Sequence, residues 1–141
     1  EQMLPTGVIP SYKKIALPLL TALEGLGIPA EITGPEGRGG RTGVCFAQQN
    51  AYEISVGGKK VIGSAQVRRN GFVLQHGSIL LSVDYEKHSR CMKGRHSLDP
   101  AVLASKMTGL ETIMGKKVTL QKLTDLIAIA FEKVFETELL Y

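Results

Sequence analysis

Long hydrophobic runs, cysteines and charge gathered in one block are scarce in this sequence. No apolar run approaches the roughly 20 residues needed to span a bilayer, and the N-terminus shows no signal-peptide pattern. No membrane partner is therefore expected. The two cysteines, Cys45 and Cys91, stand far apart in unlike surroundings. They make a poor disulfide framework and suit a reduced, cytoplasmic setting. The net charge of +4 is modest and is not collected into one patch, which argues against a nucleic-acid partner. A mildly basic surface suits acidic protein partners instead. The strand–GxxxxGK[ST]–helix order of a phosphate-binding loop is missing, so the glycine-rich segment 34–43, GPEGRGGRTG, reads as a mobile connector. His88, Cys91 and His96 match no standard zinc spacing and lack an evident fourth ligand, so no metal is expected. There is no internal repeat. At 141 residues the chain is one domain at most.

The chemistry-bearing residues lie between Cys45 and Leu81. Tyr52, Ile54 and Val56 alternate with Glu53 and Ser55, the period of a half-buried strand. Gly57-Gly58 suits a two-residue hairpin turn, since both positions tolerate positive φ. A second strand follows over Lys59–Val67. Simple alternation puts Val61, Gly63, Ala65 and Val67 on one face, small enough to pack under helices. Lys60, Ile62, Ser64 and Gln66 fall on the other. Asn70-Gly71 is a second hairpin signal. Phe72–Val83 reads as a third strand, interrupted by Gln75, His76, Gly77 and Ser78. Glycine within a strand marks a bulge or a close approach.

Helices flank this meander. Ser11 is placed as an N-cap, and Tyr12, Ile15, Ala16, Leu19, Leu20, Leu23 and Leu26 form one apolar face. Pro18 is expected to kink that helix or delay its start, and Gly25 and Gly27 end it. Ala30–Thr33 reads as a short strand and Asp84–Pro100 as a loop. Asp99 caps a helix with Pro100 at its first position, running to about Lys106. Leu110–Met114 is a short turn closed by Gly115. Thr119 caps the last helix, with Val118 and Leu123 placed for a hydrophobic staple. Its buried face is read as Leu123, Ile127, Ala130, Phe131, Val134 and Phe135. The fold class is α+β, an antiparallel sheet flanked by helices.

YEISVGGKKVIGSAQ followed by LQHGSILL resembles the central motif of the lipoate/biotin protein ligase superfamily. With Cys45 ahead of it, the stretch resembles the cysteine-dependent octanoyltransferases; ATP-dependent lipoate ligases share the lysine motif but not that cysteine. A lone cysteine before a strand is ordinarily a small buried residue, and a lysine beside a hairpin turn is ordinarily solvated. The resemblance instead implies that Cys45 is the nucleophile and that Lys60 contacts the acyl carbonyl; a thiolate is also helped by a nearby cation, for which Lys60 is a candidate and Arg41 a weaker one. It implies substrate contacts from Gly63, Ser64, Ala65, Gln66, His76, Gly77 and Ser78, with backbone N–H groups near Gly63, Gly77 or Ser78 helping to hold an oxyanion. The implied partners are an octanoyl acyl carrier protein and lipoyl-domain proteins. No cofactor is implied, ATP and Mg²⁺ entering only if the chain is a lipoate ligase. A non-catalytic lipoyl-domain-binding subunit is the other alternative. The arginine and glycine-rich motif of the superfamily's first half has no match here. Residues 1–141 are therefore expected to be a single partial domain, the C-terminal part of a class II synthetase-like catalytic domain. A missing N-terminal segment or a separate chain would complete it.

Overall fold

A computed structural model describes residues 3–33, 52–92 and 98–139. In chain order the elements are α1 (Val8–Gly25), β1 (Glu31–Ile32), β2 (Ile54–Val56), β3 (Lys59–Arg69) and β4 (Phe72–Ile79). The helices α2 (Tyr85–Cys91), α3 (Pro100–Lys106), α4 (Leu110–Met114) and α5 (Leu120–Phe135) follow. The strands form one four-stranded antiparallel sheet in the order β1-β2-β3-β4. The architecture is α+β, as the sequence pattern implies.

The two hairpins form where glycine permits them. Gly57 and Gly58 take φ of 55° and 74°, and Asn70 and Gly71 take 51° and 80°. Both central residues of each turn are thus in the left-handed region, the geometry that follows the natural twist of paired strands. The main core lies between the sheet and the α1–α5 pair, where Ala16, Leu23, Ile28, Ile54, Val61, Ile62, Leu110, Val118 and Leu123 are buried together. Val118 and Leu123 share this cluster, as the staple requires. Leu103 and Met107 anchor a second cluster with Leu80, Val83, Tyr85, Met92 and Leu98.

Several expectations are corrected. The first helix starts at Val8 after Gly7, so Ser11 is not its cap. Ser11 is fully buried inside the helix, where its hydroxyl donates to the Gly7 carbonyl at 2.7 Å and accepts from Arg68 Nη1 at 2.6 Å. The helix continues through Pro18, which is buried. The strand expected to run to Val83, β4, stops at Ile79 because the next carbonyls are claimed elsewhere. Leu80 and Leu81 accept from the N–H groups of Leu110 and Glu111 at the start of α4, groups that no intrahelical acceptor can serve. Asp84–Cys91 is not loop: Asp84 accepts from the Lys87 N–H and caps α2. Buried Ala128 joins Leu123 and Ala130 on α5, while Ile127, Phe131, Val134 and Phe135 are only half-buried. The caps at Asp99 and Thr119, and the left-handed close at Gly115, are as expected.

Candidate functional site around Lys60

One register shift decides where the polar residues of β3 point. Ile54 pairs with Ile62, but Ser55 pairs with Lys60, so the β2–β3 ladder slips by one residue between them. Such an irregularity resets the alternation of side chains. Ile54 and Ile62 face the α1–α5 core, while Ser55, Glu53 (two residues back) and Lys60 turn to the opposite face. Beyond the shift, β3 and β4 pair regularly. Gly63, Ala65 and Val67, with Ser78, His76 and Leu74 across from them, then share Lys60's face. Ile62, Ser64 and Gln66, with Ile79, Gly77 and Gln75, share the helix side. The expected split of β3 is therefore altered. The set with Gly63, Ala65 and Val67 is not the one under the helices, and Lys60 does not share a face with Ser64 and Gln66.

Lys60 is inside the protein. Its Nζ lies 2.6 Å from Glu53 Oε1, with the two side chains only 4% and 3% exposed. A charge-assisted hydrogen bond of this length fixes an ammonium that would otherwise sample many rotamers. The backbone is gripped too. The Thr108 N–H donates to the Lys60 carbonyl at 3.0 Å, and the Leu80 N–H to that of Val61 at 2.9 Å. Ser55 is fully buried beside them, and its hydroxyl has no hydrogen-bond partner among the described residues.

The other sequence-nominated residues divide by role. Ala65, His76, Gly77 and Ser78 are exposed, while Gly63, Ser64 and Gln66 are half-buried. Gln66 Nε2 donates to Gln75 Oε1 at 2.8 Å, and Gln66 Oε1 lies 3.1 Å from the Ser11 hydroxyl. That chain ties the hairpin to the start of α1. Gly77 has a packing reason of its own: a Cβ there would overlap the Gly63 carbonyl oxygen and lie 2.7 Å from Ser64 Oγ. Ser64, Gly77, His76 and Gln75 also edge a cleft of about 260 Å³ against Ile15, Leu19, Ile127 and Phe131. Tyr12 enters this region from α1. Burial pushes its phenol above the ordinary 10.0; a Ser64 side-chain hydrogen bond pulls back, and the Glu53 charge pushes further up. Arg68 reaches the Gly7 carbonyl at 2.6 Å, so it is an α1 contact rather than a solvated turn residue.

Cys45, Arg41, the 34–43 segment and His96 lie outside the described residues. Cys91 is an exposed thiol. Among the described residues no cluster of three His, Cys, Asp or Glu side chains is placed to hold a metal ion, and no helix is long and apolar enough to cross a membrane. Sequence reasoning missed Glu53 and Ser55. The signal was present: a two-residue Gly57-Gly58 turn pairs Ser55 with Lys60 by counting outward, and Glu53 is then a diagonal neighbour on the same face.

This fold is shared with solved lipoylation proteins. Lipoate-protein ligase A bound with ATP superposes with a TM-score of 0.72 at 16% identity, over 96% of this chain and 49% of that one. A bi-partite lipoate protein ligase from Thermoplasma acidophilum, solved in work that includes its E2 lipoyl domain, gives 0.68 at 15% identity, over 92% and 46%. Residues 2–132 match the lipoyl protein ligase A/B catalytic domain, and the chain belongs to that family. An octanoyltransferase LipM from Symbiobacterium thermophilum is 37% identical over 94% of this chain and 52% of its own length. The chain spans about half the length of the curated relatives it matches.

Proposed function

We propose that the chain is the C-terminal part of an octanoyltransferase that acts in protein lipoylation. The observation that carries this reading is the likeness to octanoyltransferases along nearly the whole chain. Lys60, buried and held by Glu53 within the Lys-Val-Ile-Gly-Ser-Ala-Gln motif, supports it. The Cys45 thiolate attacks the carbonyl carbon of an octanoyl thioester on an acyl carrier protein. The carrier thiol leaves with a proton, and the octanoyl group remains on Cys45 Sγ as a thioester. The ε-amine of a lysine on a lipoyl domain then attacks the same carbon. An amide forms, and Cys45 leaves as thiolate while the amine's proton is lost. Lys60 orients the carbonyl oxygen and stabilises the charge it gains in both steps. Gly63 and Ala65 on its face, with His76 and Ser78 opposite them, supply the nearest surface for the acyl group; Ser64, Gln66 and Gly77 shape that surface from the helix side. No nucleotide is needed, because a thioester lies above an amide in free energy. A cytoplasmic setting keeps the nucleophile reduced. The rest of the domain, as an N-terminal segment or a separate chain, closes over the open face of β3 and β4.

Intact-mass spectrometry tests this. Mixed with octanoyl acyl carrier protein and the completing segment, the chain should gain one octanoyl group that hydroxylamine removes, and Cys45→Ser should gain none. Transfer that survives Cys45→Ser, or that requires ATP, refutes the thioester route.

A further inference from the structure

We infer that Ser55 is a substrate-contacting residue, its hydroxyl donating a hydrogen bond to the acyl carbonyl oxygen beside the Lys60 ammonium. The inference rests on the acyl-transfer reading and adds a second donor to it. Three observations carry it. Ser55 is fully buried, and its Oγ is the single buried side-chain polar atom among the described residues with no hydrogen-bond partner. A buried hydroxyl left unsatisfied costs free energy, and an alanine would fill nearly the same space without that cost. Finally, Ser55 is the cross-strand partner of Lys60, and residues directly opposite in an antiparallel pair have Cβ atoms about 4.5–5.5 Å apart on one face. The hydroxyl and the ammonium therefore lie on one face of the sheet at paired positions, with Glu53 fixing the lysine.

The chemistry that fits this pair is an oxygen able to accept from both groups. A carboxylate does so, and so does a carbonyl oxygen that becomes negative as a thiolate or amine adds to its carbon. A donor set in place before the charge appears is worth more than one that must reorganise. The free energy forgone in the empty protein is recovered when the acyl oxygen arrives.

The test uses Ser55→Ala in the completed catalytic domain. Sodium octanoate affinity is measured by titration calorimetry, octanoylation from an octanoyl-pantetheine thioester by mass spectrometry, and the thermal midpoint by calorimetry. Octanoate affinity and octanoylation rate should each fall about tenfold or more, while the thermal midpoint holds or rises. Unchanged affinity and rate overturn the inference. A lowered midpoint also overturns it, because the hydroxyl then serves the fold through an enclosed water. If the wild-type domain binds octanoate but is never octanoylated, the transferase reading fails alone, and the octanoate affinity of Ser55→Ala still decides the role of Ser55. If the wild-type domain binds no octanoate, this inference is overturned.

Discussion

The two halves of β3 are built on different terms. From Lys60 to Ile62 the strand is covered on both faces: Lys60, Val61 and Ile62 are all buried, and β2, Leu80 and Thr108 hold its backbone. From Gly63 onward it is paired, among the described residues, only with β4, and on its outer face Val67, Leu74 and Phe72 are largely exposed. The polar group the motif singles out therefore sits in the rigid half, one step from the open half.

Variants can break that contrast. Glu53→Ala takes the carboxylate away from a buried ammonium and should cost about 3–5 kcal/mol in denaturant unfolding. A loss under about 1 kcal/mol would mean that the pair is not what holds the rigid half. Gly77→Ala, where β4 lies tightest on β3, should cost about 1–3 kcal/mol by overpacking. Leu74→Ser, three residues away on the open face, should stay within about 0.5 kcal/mol. Equal losses in these last two would erase the difference between the strand's faces.

The smallest effect is in pH. The raised Tyr12 phenol keeps its proton longer in the folded chain than in the unfolded one. The unfolded state thus binds fewer protons once pH passes the ordinary 10.0, and stability falls as pH rises from there through the folded value. Spectrophotometric titration should show one tyrosine ionising late, and Tyr12→Phe should remove that component. A late component that survives Tyr12→Phe would mean that Tyr12 is not the buried phenol.

Much of the fold was legible because its signals are local. Gly57-Gly58, Asn70-Gly71, Asp99-Pro100 and Thr119 each dictate backbone geometry within a few residues, and each behaves as its chemistry requires. Asp84 was equally legible as a cap, but the polar run after it hid α2, whose packing partners come from distant segments. The faces of β3 were misjudged because alternation assumes an unbroken register, and the slip between Ile54 and Ser55 lies in the pairing rather than in either strand's sequence. Lys60 was singled out through its motif. Its carboxylate partner was not, since Glu53 looks like the solvent side of a half-buried strand until the neighbouring strand is in place.

The Thr108 N–H donating to the Lys60 carbonyl has a consequence for how the protein comes into being. A ribosome releases Lys60 well before Leu80 and Thr108, and until both arrive the lysine's strand lacks its last backbone partners. Closing the backbone of this part of the strand is therefore a late event in biogenesis, dependent on long-range contacts. A nascent chain halted before Thr108 would leave the Lys60 carbonyl without this partner.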